Sequence, residues 1–459
     1  MLTNIFKRGM SKFGAENAAE NLFYYFGWVL VLLHGASYLY SDDLRNYVCG
    51  LLITLMAYAT ISRQPYTVKQ PILWLFYLAW ATQLMTWGVS NLFYPEMAES
   101  SPKLDRLSAW FLLLPVAVFT RRHPAHVYAL WIVSIIALLA SPWLSGDGIK
   151  EILRGFHGIR IDFNLHNAEH MGMLFGVANI ALAVFSYRFF LYTKAHSNYW
   201  LLPLYIMTWL ASLLAVLASQ TRAVWLSLSI AMAVGFIWLT IKTLRMTREG
   251  DTRPRRQATC ALLIIVVISA ISVISFSGAI QHRVKLMEPA KLLSATQNPK
   301  TAKDESVRVR LSTWKEAFTW IAERPIEGWG GKGRREVVRA TPELRPNEKK
   351  HIGHLHNSYL DITVTFGLCG MLLCLALFYV ITSHASKQVF QTRMSYDVLY
   401  FWILFLTYWA IVNIFESYMF FSTGTYIISI VGGGVFSLSM QKPSLADRSD
   451  TSSSDPGTC

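Results

Sequence analysis

Charged residues are scarce in this chain, at 15% of its 459 residues. An ordinary soluble domain carries about a quarter, so the roughly three solvated domains that the length would otherwise suggest are excluded. Cysteine is scarce as well, with five residues at positions 49, 260, 369, 374 and 459. No two form a Cys-x-x-Cys pair and the first four fall in or beside apolar segments, which argues against a disulfide framework or a zinc ribbon. There is no Asp-x-Asp sequence, which disfavours chemistry that clamps a nucleotide diphosphate through a metal. No Walker A spacing occurs, and the Gly328–Gly333 run reads as a turn. Acidic residues do not form a series across the apolar segments: Asp397 and Glu416 lie near segment ends, which argues against a proton-coupled pump. The first twenty residues are polar and basic and lack a small-residue cleavage site, so no cleavable signal is expected.

What the chain has in abundance is apolar surface, 53% hydrophobic and 14% aromatic. Runs near 20 residues recur along most of the length, as crossing a hydrocarbon layer of about 30 Å requires. The reading is an all-α polytopic membrane protein of twelve spans, at about 21–40, 46–62, 71–92, 107–120, 125–143, 169–191, 200–218, 223–241, 258–278, 358–381, 398–416 and 419–440. The runs are too continuous for barrel strands. With the N-terminus inside, cytoplasmic segments hold nineteen Lys and Arg against seven in the short external loops, which places both termini in the cytoplasm. One long segment, 279–357, falls outside and is too long to be an idle connector. Within it Val307, Leu311, Trp314, Phe318 and Ile321 repeat at helical spacing, with Ser306 as a candidate cap and Pro325 beyond the end. The expected organisation is therefore nine spans in 1–278, a partly helical external domain in 279–357, three spans in 358–440 and a Ser/Asp-rich disordered tail from 441. No internal repeat is expected.

Four arginines sit where a simple membrane protein does not need them. Arg222 is the only charge between the seventh and eighth spans, Arg160 precedes the sixth on the same side, and Arg308 and Arg310 open the amphipathic helix of the long segment. A guanidinium is permanently charged and its planar fork binds two phosphate oxygens at once; several converging would hold a pyrophosphate and stabilise charge growing on it. The alternative is that each snorkels to headgroups or pairs with a carboxylate. The second constellation is His351-Ile-Gly-His354-Leu-His356-Asn357, at the mouth of the tenth span. A histidine there can take a proton from a hydroxyl; Asn357 and Ser358 can instead cap a helix. His354 and His356, two apart, suit an extended segment, and without a His-Glu-x-x-His or cysteine partner zinc is disfavoured. His166 and His170 are four apart at the start of the sixth span; they suit orienting a substrate or a neighbouring helix, with a metal pair as the alternative.

Taken in order, Ser219-Gln-Thr-Arg222, Arg310-Leu-Ser-Thr-Trp314, Pro325-Ile-Glu-Gly-Trp-Gly330 and His356-Asn-Ser-Tyr-Leu360 followed by Phe366-Gly367 resemble the O-antigen ligase and polymerase superfamily. Arg160-Ile-Asp-Phe-Asn164 is similar to a further family element, with Leu165-His166 replacing its Pro-Asn, and Thr221 stands where Ser is usual before Arg222. The resemblance implies a metal-independent, inverting transfer of a glycan from undecaprenyl diphosphate to an acceptor hydroxyl, with no cofactor. It assigns Arg222, Arg310 and Arg160 to the donor diphosphate and His356 to the general base or orienter of the acceptor, leaving Arg308, His354, Asn357 and His166 as substrate-binding candidates. The expected partners are the lipid-linked donor, a lipid A-core sugar as acceptor and membrane lipids, with no nucleic acid; the expected place is a bacterial inner membrane with the site facing the periplasm. The growing polysaccharide or a protein hydroxyl are the alternative acceptors. A transporter of the lipid-linked glycan is a different class, which would call for repeat symmetry and mid-membrane charge.

Overall fold

The computed structural model describes residues 18–62, 71–248 and 305–441. Among these every regular element is helical. In chain order they are α1 (Ala18–Ser37), α2 (Asp42–Ile61), α3 (Pro71–Phe93), α4 (Leu113–Thr120), α5 (Pro124–Leu144), α6 (Ile149–Phe156), α7 (Ala168–Ala195), α8 (Leu201–Ala218), α9 (Arg222–Arg248), α10 (Glu305–Glu323), α11 (Gly333–Ala340), α12 (Pro346–His351), α13 (Ser358–Phe390), α14 (Tyr396–Phe415), α15 (Ser422–Ile427) and α16 (Gly433–Ser439). Eight are long and apolar enough to cross a membrane: α2, α3, α5, α7, α8, α9, α13 and α14.

That is fewer than the twelve expected from hydropathy, for three local reasons. The fourth expected span is broken into an α-helical turn at Asp105–Ser108, a 3-10 turn at Ala109–Leu112 and the short α4. The twelfth, 419–440, is α15 and α16 joined through a π-helical stretch at Ile428–Gly432. Helix α1 stands at the first position without entering the set of eight. The ninth expected span, residues 279–304 of the expected external segment and the tail beyond 441 lie outside the described residues.

Helix α7 runs through the centre, buried almost continuously from Ala168 to Leu182. It packs with α14 and the 422–439 rod in a core rich in aromatics, including Trp110, Trp402, Tyr408 and Phe436. At one end of the bundle the Arg188 guanidinium grips both oxygens of Asp397, at 2.6 and 2.7 Å. At the other end the starts of α7, α9, α13 and α15 meet the ends of α8 and α14, through contacts such as Thr221 to Ala168, Ser358 to Glu416 and His170 to Thr423.

Helices α10, α11 and α12 form a small domain with its own core of Val309, Ala317, Val337, Val338, Leu344 and Leu355, closed by Leu360 and Val364 of α13. The expected amphipathic helix is present and stops before Pro325, but Ser306 lies inside it and accepts a hydrogen bond from Arg310 rather than capping the helix. The domain is welded to the membrane helices by a break in α13. Gly367 takes φ 61° and ψ −159°, which frees backbone groups on either side, and the Pro325–Gly330 turn satisfies them. Trp329 N donates to Val364 O at 2.8 Å, Gly330 N to Thr365 O at 3.1 Å, and Leu368 N to Pro325 O at 2.7 Å. Thr86 and Ser90 of α3 add bonds to the carbonyls of Glu327 and Trp329. A Cβ on Gly367 would stand 2.0 Å from Ile326 O, and one on Gly328 would stand 2.6 Å from Gly367 N.

Gly367→Ala therefore combines an unfavourable φ with a backbone overlap, and is expected to destabilise the fold by on the order of 3 kcal/mol. Thermal unfolding of the detergent-solubilised protein checks this; an unchanged midpoint would remove the glycine pair from the account.

Candidate functional site

A cavity of about 380 Å³ opens where these helix ends meet. Two loops build most of its wall, and both carry the same tripeptide. Leu165-His166-Asn167 precedes α7 and Leu355-His356-Asn357 precedes α13. In each, the leucine is buried (2% and 0% exposed), the histidine is left-handed at φ 72° and 50°, and the asparagine caps the helix. Asn167 Oδ1 accepts from Glu169 N and His170 N at 2.8 and 3.0 Å; Asn357 Oδ1 accepts from Tyr359 N and Leu360 N at 3.0 and 3.2 Å. Both of these left-handed histidines line the cavity, and such strained backbone clusters at functional sites.

The 354–356 segment is extended, as the i,i+2 spacing suggested. Leu355 is clamped on both backbone sides: Trp314 Nε1 donates to its carbonyl at 2.8 Å and its N–H donates to the buried Asp361 at 3.1 Å. With Leu355 fixed inward, His354 and His356 turn together to the cavity, their rings 4.3 Å apart. Both meet Glu416, the residue that ends α14 and is only 3% exposed. His354 Nε2 lies 3.0 Å from one carboxylate oxygen and His356 Nδ1 lies 2.7 Å from the other. Burial alone would raise the Glu416 pKa, but hydrogen bonds from His354, His356 and Glu169 hold it well below the usual carboxylate range. For His354, burial opposes the charged form, yet the bond and charge of Glu416 outweigh it and raise the pKa. Across the cavity, burial lowers the pKa of His166. Phe421 fills the centre, its ring 4.8 to 5.3 Å from those of His166, His170 and His354.

Glu169, in the first turn of α7, carries the positive side of the site. Its Oε1 lies 3.3 Å from Arg310 Nη2 and 3.7 Å from Arg160 Nη2, and a further side-chain hydrogen bond joins it to Glu416. The Arg160 loop is held from below by the buried Glu151, which accepts from Asp162 N and Phe163 N at 3.2 and 2.7 Å. Arg160 itself donates to Ser219 O at 3.0 Å and Thr221 Oγ1 at 3.3 Å.

Of the residues singled out from sequence, Arg160, His166, His354 and His356 line the cavity, and Arg310 reaches it through Glu169. Arg222 begins α9, one residue beyond Thr221, and does not line the cavity. Arg308 points the other way: it is 11% exposed, paired with Glu348 and bonded to Glu343 O at 2.9 Å. The Arg308 side chain thus holds the small domain together, and the Asn357 side chain is spent on its cap. Glu169 and Glu416 are the cavity residues that sequence reasoning passed over. The repeated Leu-His-Asn tripeptide would have pointed to the first, and a lone acid at the end of an apolar run to the second. His354, His356 and Glu416 also present ligand atoms within 4.8 Å of one another, close enough for a metal ion; here each nitrogen is hydrogen-bonded to the carboxylate.

Residues 206–375 match the family model described as O-antigen ligase. The family resemblance read from the motifs is thereby confirmed over that stretch, which carries Arg222, Arg310, His354, His356 and Gly367. Members of this family are glycosyltransferase-like membrane enzymes. Arg160, Glu169 and Glu416 come from outside the matched stretch. No curated protein matches the chain.

Removing one partner of a half-buried, hydrogen-bonded ion pair leaves the other short of a partner, at a cost of about 1 to 2 kcal/mol after screening by solvent. Arg308→Ala is therefore expected to lower the unfolding temperature while leaving anion binding by the folded protein intact; lost binding with unchanged stability would return Arg308 to the site.

Proposed function

We propose that this protein is an O-antigen ligase, moving a glycan from undecaprenyl diphosphate to a hydroxyl of a lipid A-core sugar, without a metal and with inversion, at the periplasmic face of the bacterial inner membrane. The observation that carries the reading is the meeting, in one cavity, of two arginines on Glu169 and of a histidine on Glu416. Permanent positive forks suit a diphosphate, and a carboxylate-bound imidazole suits a hydroxyl.

In the transfer, the acceptor oxygen attacks the anomeric carbon and the bond from that carbon to the phosphate oxygen breaks. The electron pair leaves on the diphosphate, where Arg310 and Arg160 stabilise the developing charge; Arg222, which begins α9 beside Thr221, is assigned the distal phosphate. The hydroxyl proton passes to His356. Glu416 is held ionised and accepts from Nδ1, so the proton of neutral His356 sits on Nδ1 and the Nε2 lone pair is left for the acceptor. Glu416 also stabilises the imidazolium that results. His354 and His166 flank the acceptor. The glycosyl–phosphate bond is already activated, so position and a base suffice.

Reconstitution with undecaprenyl-diphosphate glycan and rough lipopolysaccharide, in EDTA, is expected to give mature lipopolysaccharide. His356→Ala is expected to lower kcat by about two to four orders of magnitude, and Arg310→Ala to raise the donor KM more than it lowers kcat. Strict dependence on added metal, or full activity of His356→Ala, would overturn the mechanism.

A further inference from the structure

Glu169 has no part in the transfer as written, yet it occupies the place where the donor's charge belongs. Its Oε1 faces Arg310 and Arg160 at 3.3 and 3.7 Å, and the side chain keeps 22% of its surface open to the cavity. Arg310 is not saturated by it. Nη1 is used on Ser306 and Nη2 on Glu169, while Nε is buried without a hydrogen-bond partner. A guanidinium offers five donors in a rigid fork, so Arg310 has capacity left for a second oxygen that a single carboxylate atom does not fill. The same carboxyl also meets Glu416, a hydrogen bond in which Glu169 is the donor, so once released from the arginines Glu169 keeps that partner by taking up a proton.

We propose that Glu169 is a built-in stand-in for the donor's phosphate: it holds Arg160 and Arg310 in the empty site, yields them when the diphosphate enters, and reclaims them to expel the product. The inference rests on the arginines being the diphosphate site. Its physical reason lies in the charge change of the reaction. Cleavage leaves a terminal phosphate with one more negative charge than the glycosyl-linked one, so product binds the guanidiniums more tightly than donor does. An enzyme with only arginines would be held in its product complex. A tethered carboxylate competing for the same pair weakens donor and product together, and two anions sharing one cation pair must oppose each other reciprocally.

The test uses the intact, detergent-solubilised protein and inorganic pyrophosphate in EDTA, followed by calorimetry. Wild type is expected to bind pyrophosphate, and Arg310→Ala to lose that binding. Glu169→Gln, which keeps size and removes charge, is expected to bind about tenfold more tightly, the scale of one close charge pair discounted for solvent. In turnover it is expected to lower the donor KM and kcat together, because product leaves slowly. A merely structural role for Glu169, orienting the arginines, gives weaker binding and a higher KM. If wild type binds pyrophosphate through Arg310 but Glu169→Gln binds no more tightly, the stand-in is refuted and the diphosphate site survives. If Arg310→Ala leaves binding unchanged, both fall. Should Glu169→Gln fail to fold, Glu169→Asp carries the test: a carboxylate drawn back by one methylene competes less well, so binding must tighten, and weakening overturns the proposal.

Discussion

The buried carboxylate of Glu416 is the hub from which the cavity is organised. A charge that is 3% exposed at the end of an apolar helix is costly to bury unless its lone pairs are filled. Here they are filled by two imidazoles and by the N–H of Ser417, at 2.8 Å. Those demands fix where His354 and His356 stand, and hence how the 352–357 segment must leave the small domain. Glu416 also touches Glu169, which in turn holds Arg310 and Arg160. Base, acid and guanidiniums thus form one connected electrostatic unit drawn from α7, α10, α14 and two loops.

The motifs that carry the family resemblance divide into those that reach the cavity and those that hold the frame. Gly328-Trp329-Gly330 and Gly367 never approach the cavity. They are complementary halves of one joint, the turn supplying donors and acceptors that the broken helix lacks. Trp314 likewise acts at a distance: its indole pins Leu355, so that the neighbouring histidines have no freedom to turn away. The small domain is therefore more than a cover. It grips the histidine segment from Trp314 of α10 and the membrane helix from Gly330, which makes the position of His356 depend on residues well separated from it in sequence.

How much of this was legible beforehand follows from the physics of each signal. Hydropathy runs located the long helices because burial in a membrane imposes length and apolarity together. At 107–120 and 419–440 the expected spans are helical but interrupted by a 3-10 turn at 109–112 and a π-helical stretch at 428–432, which hydropathy does not register because these stretches are as apolar as the helices beside them. Arg160, Arg310, His354 and His356 were recognisable because polar groups at the ends of apolar runs have few structural excuses. Arg308 had the same appearance and a different destination: two positions away on α10, it faces the opposite side and finds Glu348. Glu169 was invisible for a different reason. A glutamate in a first helical turn is favourable in any helix, so nothing local marked it, and only its contacts with arginines 9 residues before and 141 after show what it does.

A division of labour follows between groups whose charge is fixed and groups whose charge responds. In the proposed transfer the diphosphate is anionic throughout, and guanidinium matches it because neither burial nor a neighbouring cation discharges it. The acceptor's proton must move in that reading, and the task falls to imidazole, whose charge can change near neutral pH. A site in which lysines replaced the arginines would bring titrating groups into both roles and let the two halves interfere. Placing a carboxylate on each side, Glu169 against the forks and Glu416 against the imidazoles, keeps the empty cavity close to neutral. The joint between the two carboxylates then lets a charge arriving on one side be felt by the base on the other. Coupling of that kind needs no moving domain, only two acids within hydrogen-bond reach that share a proton.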